Sequence, residues 1–582
     1  MLQTLLIWAV FATSLLSPTS QHCFRANSSQ CRSADFPPGA DLAGEGFDIT
    51  TMQRKGAYVL DMSSWLKSDG SCTLCNNPYM KNQKQRLPVS VVDWRSIRKC
   101  RMKLSSTIYK SSESLIEATT SSIENNWANE LNIMTTKGPG SLMLAGSKSK
   151  LAKYSMEKTK NDKYSFTSHS MSCGYYRYRV SNSPLLHSEL KREIRKLPKT
   201  YNQHRYFKLI NKFGTHYITK VTLGGKINSV TSIKECQVTL QGLTVDEIKM
   251  CLDVEASGSR QMSSSFKVKA HACKSYMSKL MRNRDFTNSF SDRDTTVIGG
   301  YTQSSDLLFS SKNDPKAYNE WLASLPAHPD VMSYMLESIH NLLPKTNPAR
   351  KHLRKAIKDY ILKRGLLKKC TSRCTIGTKI NPSKSCQCSC LNNPQLTDDC
   401  CPKKRGSAEV TVTVIKGQGL WGDWITATDG YVVLYLDGIF RGQTSTINNN
   451  NNPYWGKRFY LGAEDITHAR LKLEVFDEDH FSKDFLGTCN IRLNSGKTER
   501  ICTLKHGLVF YKVEVKCIPG LTGTYCKRYK PSPMDAELAK VYVSRNALPI
   551  PKDMLLEMGV HLDVPIAQFN KSSTPKAAGF EL

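Results

Sequence analysis

Beyond residue 20 no stretch of the sequence approaches the ~20 consecutive apolar residues of a membrane-spanning helix, so the mature chain is expected to carry no helical anchor. The common catalytic signatures are also missing. There is no H-E-x-x-H and no G-x-S-x-G, and Gly496-Lys497-Thr498 ends like a phosphate loop but has Ile491 where the first glycine would stand. Hydrolase and nucleotide chemistry are thereby excluded, and no catalytic residue is expected. Acidic residues are scarce, 50 Asp and Glu against 82 Lys and Arg, which leaves a net charge of +32. Residues 527–582 hold no cysteine and no pattern of a separate core, so they read as a mixed, proline-containing tail.

What is present points to export. The apolar run from Leu5 to Leu16, followed by small residues through Ser20, reads as a signal peptide over residues 1–20, although a basic start is lacking. Twenty cysteines in an exported chain imply disulfides, because the oxidising pathway pairs exposed thiols. Asn27 and Asn570 lie in glycosylation sequons that suit the same compartment. The basic surface could serve phosphates of nucleic acid or anionic lipid headgroups and glycans. Export favours the latter, and nucleic acid is not expected as a partner.

At 582 residues the chain has room for about three to five domains. Residues 21–368 open with a stapled, loop-rich stretch and then mix helical patterns (LLHSELKREIRKL, 185–197) with alternating strands (HYITKVTL, 216–223), which predicts one large α+β domain. Cysteines crowd residues 369–402. From 403 to 526 short strands with turn signals, among them VTVTVIKG, YVVLYLDGIFRGQT with its Asp437-Gly438 turn, and LKLEVFDED, predict an all-β sandwich.

One histidine stands in a tight setting. His216, between Thr215 and Tyr217 at the start of an alternating strand, reads as a hydrogen-bonded structural residue rather than a base. Tyr206, six further residues, then Phe213-Gly214-Thr215-His216-Tyr217 resembles the signature of the membrane attack complex/perforin (MACPF) superfamily. The order of a large domain, an EGF-like cysteine-rich piece and a C2-like sandwich resembles that family's pore-forming members. The resemblance implies a bent central antiparallel sheet flanked by two helix clusters, with Gly224-Gly225 at the bend. It further implies that the clusters unfurl into two β-hairpins per subunit, and that a homo-oligomeric ring of subunits forms one transmembrane barrel.

The expected inserting regions are 134–175 and 254–298. Within the second, SSFKVKAHAC alternates Phe266, Val268, Ala270 and Ala272 against Lys267, Lys269 and His271, a lipid face against a wet one. KYSFTSHSM, 163–171, alternates less well. A surface helix or half-exposed strand of a permanently soluble protein would show similar patterns.

In the sandwich, LWGDWITATDG and VFDEDHFSKDFLG supply Asp423, Asp429, Asp477, Asp479 and Asp484, which match the five aspartates of a calcium-binding C2 domain. Ca²⁺ takes six to eight oxygens, so clustered carboxylates on two loops make a cage, whereas any one of them alone is an ordinary turn aspartate. The interval from Asp479 to Asp484 is one residue shorter than is common. Trp421, Trp424 and Phe481 on the same loops are expected to enter a phospholipid membrane. Acid would weaken calcium binding by protonating the ligands.

From the family pattern the expected bridges are Cys370–Cys386, Cys374–Cys388 and Cys390–Cys400, with Cys401 tied back to Cys236. Cys489 with Cys502 and Cys517 with Cys526 are local options in the sandwich. The expectation is therefore a secreted or granule-stored, calcium-dependent, pore-forming cytolytic protein. A terminal complement-like component and a non-lytic adhesion or lipid-binding member of the family are the alternatives.

Overall fold

The computed structural model describes residues 23–133, 141–257, 271–273, 275, 292–302, 307–309, 315–368, 374, 376–379, 388–422, 426–478, 483–532 and 547–562. Its largest sheet is organised by one long strand. We number the strands of that sheet β1 (Glu45–Asp48), β2 (Gln53–Tyr58), β3 (Val91–Tyr109), β4 (Tyr164–Val180), β5 (His216–Lys234), β6 (Arg293–Ile298) and β7 (Asp330–Ser338). All pairs are antiparallel, and the path β2-β1-β5-β4-β3 is completed by β6 and β7, which both pair with β5.

The partner of β5 changes at Gly224-Gly225. Below them β7 pairs with residues 216–224, and above them β6 pairs with residues 226–231. Neither glycine adopts a left-handed φ; the demand is for space. A Cβ on Gly224 would lie 2.0 Å from the Cys173 carbonyl oxygen, and one on Gly225 would lie 2.3 Å from Leu325. Gly299 and Gly300, which do have positive φ, complete the crossing, where a Cβ on Gly299 would lie 2.2 Å from the Gly224 oxygen. Trp321, fully buried, seals the junction and donates its Nε1–H to the Gly299 carbonyl at 2.9 Å.

The start of β5 is fixed by the helix before it, Gln203–Phe213. Asn202 caps its first turn through the Arg205 N–H. Tyr206 and Phe213 are buried, and Gly214 ends the helix with φ +85°, so close to Phe47 that a Cβ would lie 2.5 Å from its oxygen. The Thr215 N–H then donates to the Phe47 carbonyl (2.8 Å), and Thr215 Oγ1 accepts from the Ile49 N–H (3.1 Å). His216 is fully buried, with Nδ1 2.8 Å from Thr215 Oγ1 and its ring edge-on to Trp127. FGTHY thus joins a helix end to two strands, and Tyr217 pairs with Gly46 of β1 while its hydroxyl donates to Glu337 (2.6 Å).

The sandwich has two four-stranded sheets. We number its strands β8 (Ser407–Gln418), β9 (Gly430–Leu436), β10 (Ile439–Gln443), β11 (Tyr454–Asp465), β12 (Arg470–Glu478), β13 (Lys483–Arg492), β14 (Gly496–Thr503) and β15 (Leu508–Cys517); the orders are β11-β8-β15-β14 and β10-β9-β12-β13. Alternation puts Val410, Val412 and Val414 of β8 inside, where they meet Val432 and Leu434 of β9 and Leu473 and Val475 of β12. The tail does not stand alone: Ala547–Pro549 pairs with Leu366–Lys368, which pairs in turn with Ser141–Met143, and Ile550, Leu555 and Val560 enter the core of the large domain.

Burial, reinforced by His340, pushes the His216 imidazole down to about 3, and burial beside Arg350 and Arg354 pushes His340 down to about 4. Both lie below the ordinary value of about 6.5, so the unfolded chain binds these protons first on acidification. The stability they contribute is complete above about pH 6.5 and is lost as pH falls toward 4 and then 3. The expected outcome is a melting temperature that drops steadily from pH 6.5 to 4, with His216 alone costing about 2 kcal/mol at pH 5, and a shallower drop in His340→Gln. Thermal melts across that range check it, and a flat profile would contradict it.

Candidate functional site

Two places bring predicted residues together. The first is one end of the sandwich. Asp477, near the end of β12, is opposite Gly430 of β9 on one side and Asp484 of β13 on the other, and Asp429 immediately precedes β9. Asp477 is buried, at 1% exposure, and its Oδ1 accepts the Asp429 N–H at 2.6 Å. A Cβ on Gly422 would lie 2.1 Å from Asp477 Oδ2, so the loop leading to position 423 lies directly over this carboxylate. Asp423, Trp424, Asp479 and Phe481 lie outside the described residues. Trp421 is half-buried, its ring edge-on to His506 at 4.7 Å.

An asparagine run holds these loops. The Asn449 N–H donates to Asp429 Oδ1 (2.5 Å), Asn451 Oδ1 accepts from the Thr428 N–H (2.9 Å), and Asn452 Oδ1 accepts from the Gly419 N–H (2.9 Å). Trp455 Nε1–H donates to the Gly430 carbonyl at 3.1 Å. The five consecutive asparagines from 448 to 452 are the sequence signal for this role, because such side chains cap irregular backbone.

The second place is the central sheet and its two inserts. The insert between β3 and β4 is residues 110–163, and that between β5 and β6 is residues 235–292. The expected regions, 134–175 and 254–298, therefore overlap these inserts in part and extend into β4 and β6. Residues 164–171 already form part of β4, all of them paired with β5 and residues 166–170 with β3 as well, with Tyr164 and Phe166 buried against Leu115 and Val230. The weak alternation there reflects a strand covered on both faces.

The first insert carries α1 (Ser112–Thr119) and α2 (Lys150–Asn161); the second carries α3 (Glu235–Thr239) and α4 (Val245–Ser257). Among the described residues no helix is long and apolar enough to cross a membrane. Phe266, Val268 and Ala270 lie outside the described residues, while Ala272 is half-buried in a helical segment. On the sheet face toward α4, Thr167, His169, Ser229 and Thr231 are fully buried, and Asp253 of α4 meets His169 Nε2 at 2.9 Å.

The disulfides fasten these places together. Cys236, two residues beyond β5, bonds to Cys401, and Cys374–Cys388, Cys390–Cys400, Cys489–Cys502 and Cys517–Cys526 are also formed. Cys370, Cys386 and Asn570 lie outside the described residues. Sequence reasoning did not pair Cys23–Cys75, Cys31–Cys72, Cys100–Cys173 or Cys251–Cys273. Asn27 is exposed, and its Oδ1 caps a short helix through the Gln30 N–H (3.0 Å). Beside the Cys236–Cys401 link, Asp162 Oδ1 accepts from the Tyr529 hydroxyl (2.7 Å) and the Ser532 N–H (3.0 Å).

Three family descriptions match this chain: MAC/Perforin domain over residues 36–369, Perforin-1-like EGF domain over 369–403, and C2 domain over 408–506. The chain is 38% identical to Perforin-1 of Homo sapiens over 520 residues, 88% of this chain and 93% of the relative. It is 37% identical to Perforin-1 of Mus musculus over 528 residues, 88% and 94% of the two chains. A solved C2 domain is 32% identical and covers 19% of this chain and 98% of its own, with a TM-score of 0.18.

The joint at Asp162 and Cys236 makes a measurable contribution to stability. Asp162→Ala removes the acceptor of three hydrogen bonds, those from Tyr529 and Ser532 and one from the Lys163 N–H (2.8 Å), and is expected to cost about 1–3 kcal/mol. Opening the 165-residue loop with Cys236→Ser and Cys401→Ser is expected to cost about 2–5 kcal/mol. Denaturant unfolding of the full chain measures both, and midpoints equal to the parent's would show that the joint carries no load.

Proposed function

The chain belongs to the MAC/Perforin domain family, and from that premise we propose how its parts divide the work of making a cytolytic pore. The sandwich docks on a phospholipid membrane in a calcium-dependent way, subunits assemble laterally into a ring, and the two helical inserts refold as β-hairpins. The observation that carries this reading is the repeated strand–insert–strand plan. Two helix-bearing inserts leave the same end of one antiparallel sheet, between β3 and β4 and between β5 and β6, so each is flanked by strands that a hairpin could continue.

Such hairpins need no long apolar run, since each strand offers lipid only alternate residues, and their edges are satisfied when neighbouring subunits pair. No catalytic chemistry is required. His216, the histidine of the family signature, is buried, and its neutral imidazole is part of the packing under β5.

For the cation, Asp429, Asp477 and Asp484 lie on three adjacent chain segments; among the described residues no three acidic side chains are grouped to hold an ion by themselves, but carboxylate oxygens are the donors that suit a hard ion such as Ca²⁺. Asp423 and Asp479 would complete the donor set from the two loops above. Bound calcium would supply the positive charge that lets an acidic tip approach anionic headgroups. Asp477 positions the Asp429 backbone, the asparagine run holds the opposite loop, and Gly422 leaves room for the Asp477 carboxylate. The disulfide framework supports passage through the oxidising secretory pathway.

Dye release from phosphatidylcholine–phosphatidylserine liposomes tests the division of labour. Release is expected with calcium and not with chelator, and Asp429→Ala or Gly422→Ala should lower both calcium-dependent binding and release at least tenfold. Calcium-dependent binding without release would point to a non-lytic protein, and release that ignores calcium would detach the sandwich from the mechanism. A disulfide engineered from the segment 264–273 to the body of the large domain is expected to spare binding and abolish release until it is reduced.

A further inference from the structure

We propose that the Cys251–Cys273 bridge is a cross-strand link of the inserted second hairpin, placed where its stalk meets its membrane-crossing tip, and that it stays closed throughout refolding. This rests on the pore-forming reading above. In the folded chain the bridge joins α4 to the helical segment at 271–273, with the two Cα atoms 5.4 Å apart.

The argument is one of register. Strands β5 and β6 pair without a shift from Arg293↔Thr231 to Ile298↔Lys226, and the two residue numbers of every pair add to 524. The numbers 251 and 273 also add to 524. If residues 235–292 straighten so as to continue these two strands, the cysteines arrive directly opposite one another with no slip. Directly opposed residues of an antiparallel pair sit about 4.5–5.5 Å apart at Cα, the span this disulfide already has. A slip of one residue would send the two side chains to opposite faces. The molecule uses the same device elsewhere: Cys23–Cys75 and Cys100–Cys173 each join directly opposed strand residues.

The same register sorts the sequence next to the bridge. Leu252 falls opposite Ala272, Val254 opposite Ala270 and Ala256 opposite Val268, all on one face. On the other face, with the cysteines, Asp253 falls opposite His271 and Glu255 opposite Lys269. Apolar pairs on one side and opposite-charge pairs on the other are what a strand pair with one face to lipid and one to water requires. The turn falls at Met262, ten residues beyond the bridge on each arm, which matches the ~9–11 residues of a membrane-crossing strand.

The first insert gives independent support. Strands β3 and β4 end in the register Ser105↔Ser170 to Tyr109↔Phe166, whose numbers add to 275, so their extension turns at Lys137-Gly138 within the turn-forming sequence Lys137-Gly138-Pro139-Gly140. In the β4–β5 register, whose numbers add to 398, residue 137 stands beside 261. Two hairpins extended independently therefore turn at the same level, within two residues of each other.

The test uses the full-length, oxidised chain on phosphatidylcholine–phosphatidylserine liposomes with calcium. Non-reducing digestion and mass spectrometry of washed, dye-releasing oligomers should recover the Cys251–Cys273 peptide pair. Recovery of these residues as free thiols, or dye release that begins only after reduction, would overturn the proposal. Register is read by oxidising pores after assembly. Asp253→Cys with His271→Cys, in a Cys251→Ser, Cys273→Ser background, should cross-link; Asp253→Cys with native Cys273, in Cys251→Ser, should cross-link at least tenfold less. The reverse order would overturn the register. Wild-type protein that binds the liposomes but releases no dye would remove the pore-forming premise itself, and the proposal with it, whereas release with the bridge open removes the proposal alone.

Discussion

The large domain depends on one close crossing of backbones, where Gly224 meets the Cys173–Gly174 carbonyl edge of β4 and Gly299 closes over it from β6. There is no room at this point for a Cβ on either side. Because the strands touch here, β5 can hand its outer edge from β7 to β6 while keeping β4 along its other edge for fifteen paired residues. The Cys100–Cys173 bridge, immediately adjacent, fixes β3 to the same level. The crossing separates a lower half, in which FGTHY, β1 and β7 build a conventional core, from an upper half whose strands open into the two inserts.

The upper half is also where the other domains attach. Cys236 and Asp162 stand at the first turns beyond β5 and β4, and they take Cys401 of the cysteine-rich module and the Tyr529–Ser532 segment after the sandwich. Leu240 adds an apolar contact to the sandwich-side core. In the proposed mechanism, a sandwich docked on a membrane is therefore fastened at the root of the segments that would refold, rather than at the far end of the domain. This fixes the distance over which an extending hairpin must reach, and a covalent bond holds that distance better than a polar interface would.

Much of this was legible in the sequence where residue type and spacing leave few alternatives. FGTHY, the double glycine, the β8 alternation Val410-Thr411-Val412-Thr413-Val414 and the pair Asp429 and Asp477, which meet at one end of the sandwich, are all local signals. The inserts were misplaced because their boundaries are tertiary. Tyr164, Ser165 and Phe166 belong to β4 through burial on both faces, which erases the alternation that marks a half-exposed strand. The glycines at the bend are legible as a pair, whereas the close contacts that require them, with Cys173 and Leu325, come from chain segments about 50 and 100 residues away. The tail, too, is held by a short strand pairing with Leu366–Lys368 that no periodicity announces.

The packing of the inserts explains how a stable fold can also be convertible. A helix that covers a sheet permanently would be expected to meet an apolar face, yet the residues beneath α4 include Thr167, His169, Ser229 and Thr231, and the hydroxyls of Thr167 and Thr231 have no hydrogen-bond partner among the described residues. In the other insert burial pushes the Glu113 carboxyl up, so it is held where its charged form is disfavoured. Each such group costs on the order of 1–3 kcal/mol while it is covered, and regains it when water reaches it. The covering helices are held by Leu252, Ala256, Leu115 and Ile116; in a strand Leu252 and Ala256 would share one face, whereas the adjacent Leu115 and Ile116 would point to opposite faces. The resting state thus sets buried apolar contacts against buried polar ones. A bilayer accepts the former and an aqueous lumen the latter, so the proposed insertion would relieve the conflict without requiring any residue to change its chemical preference.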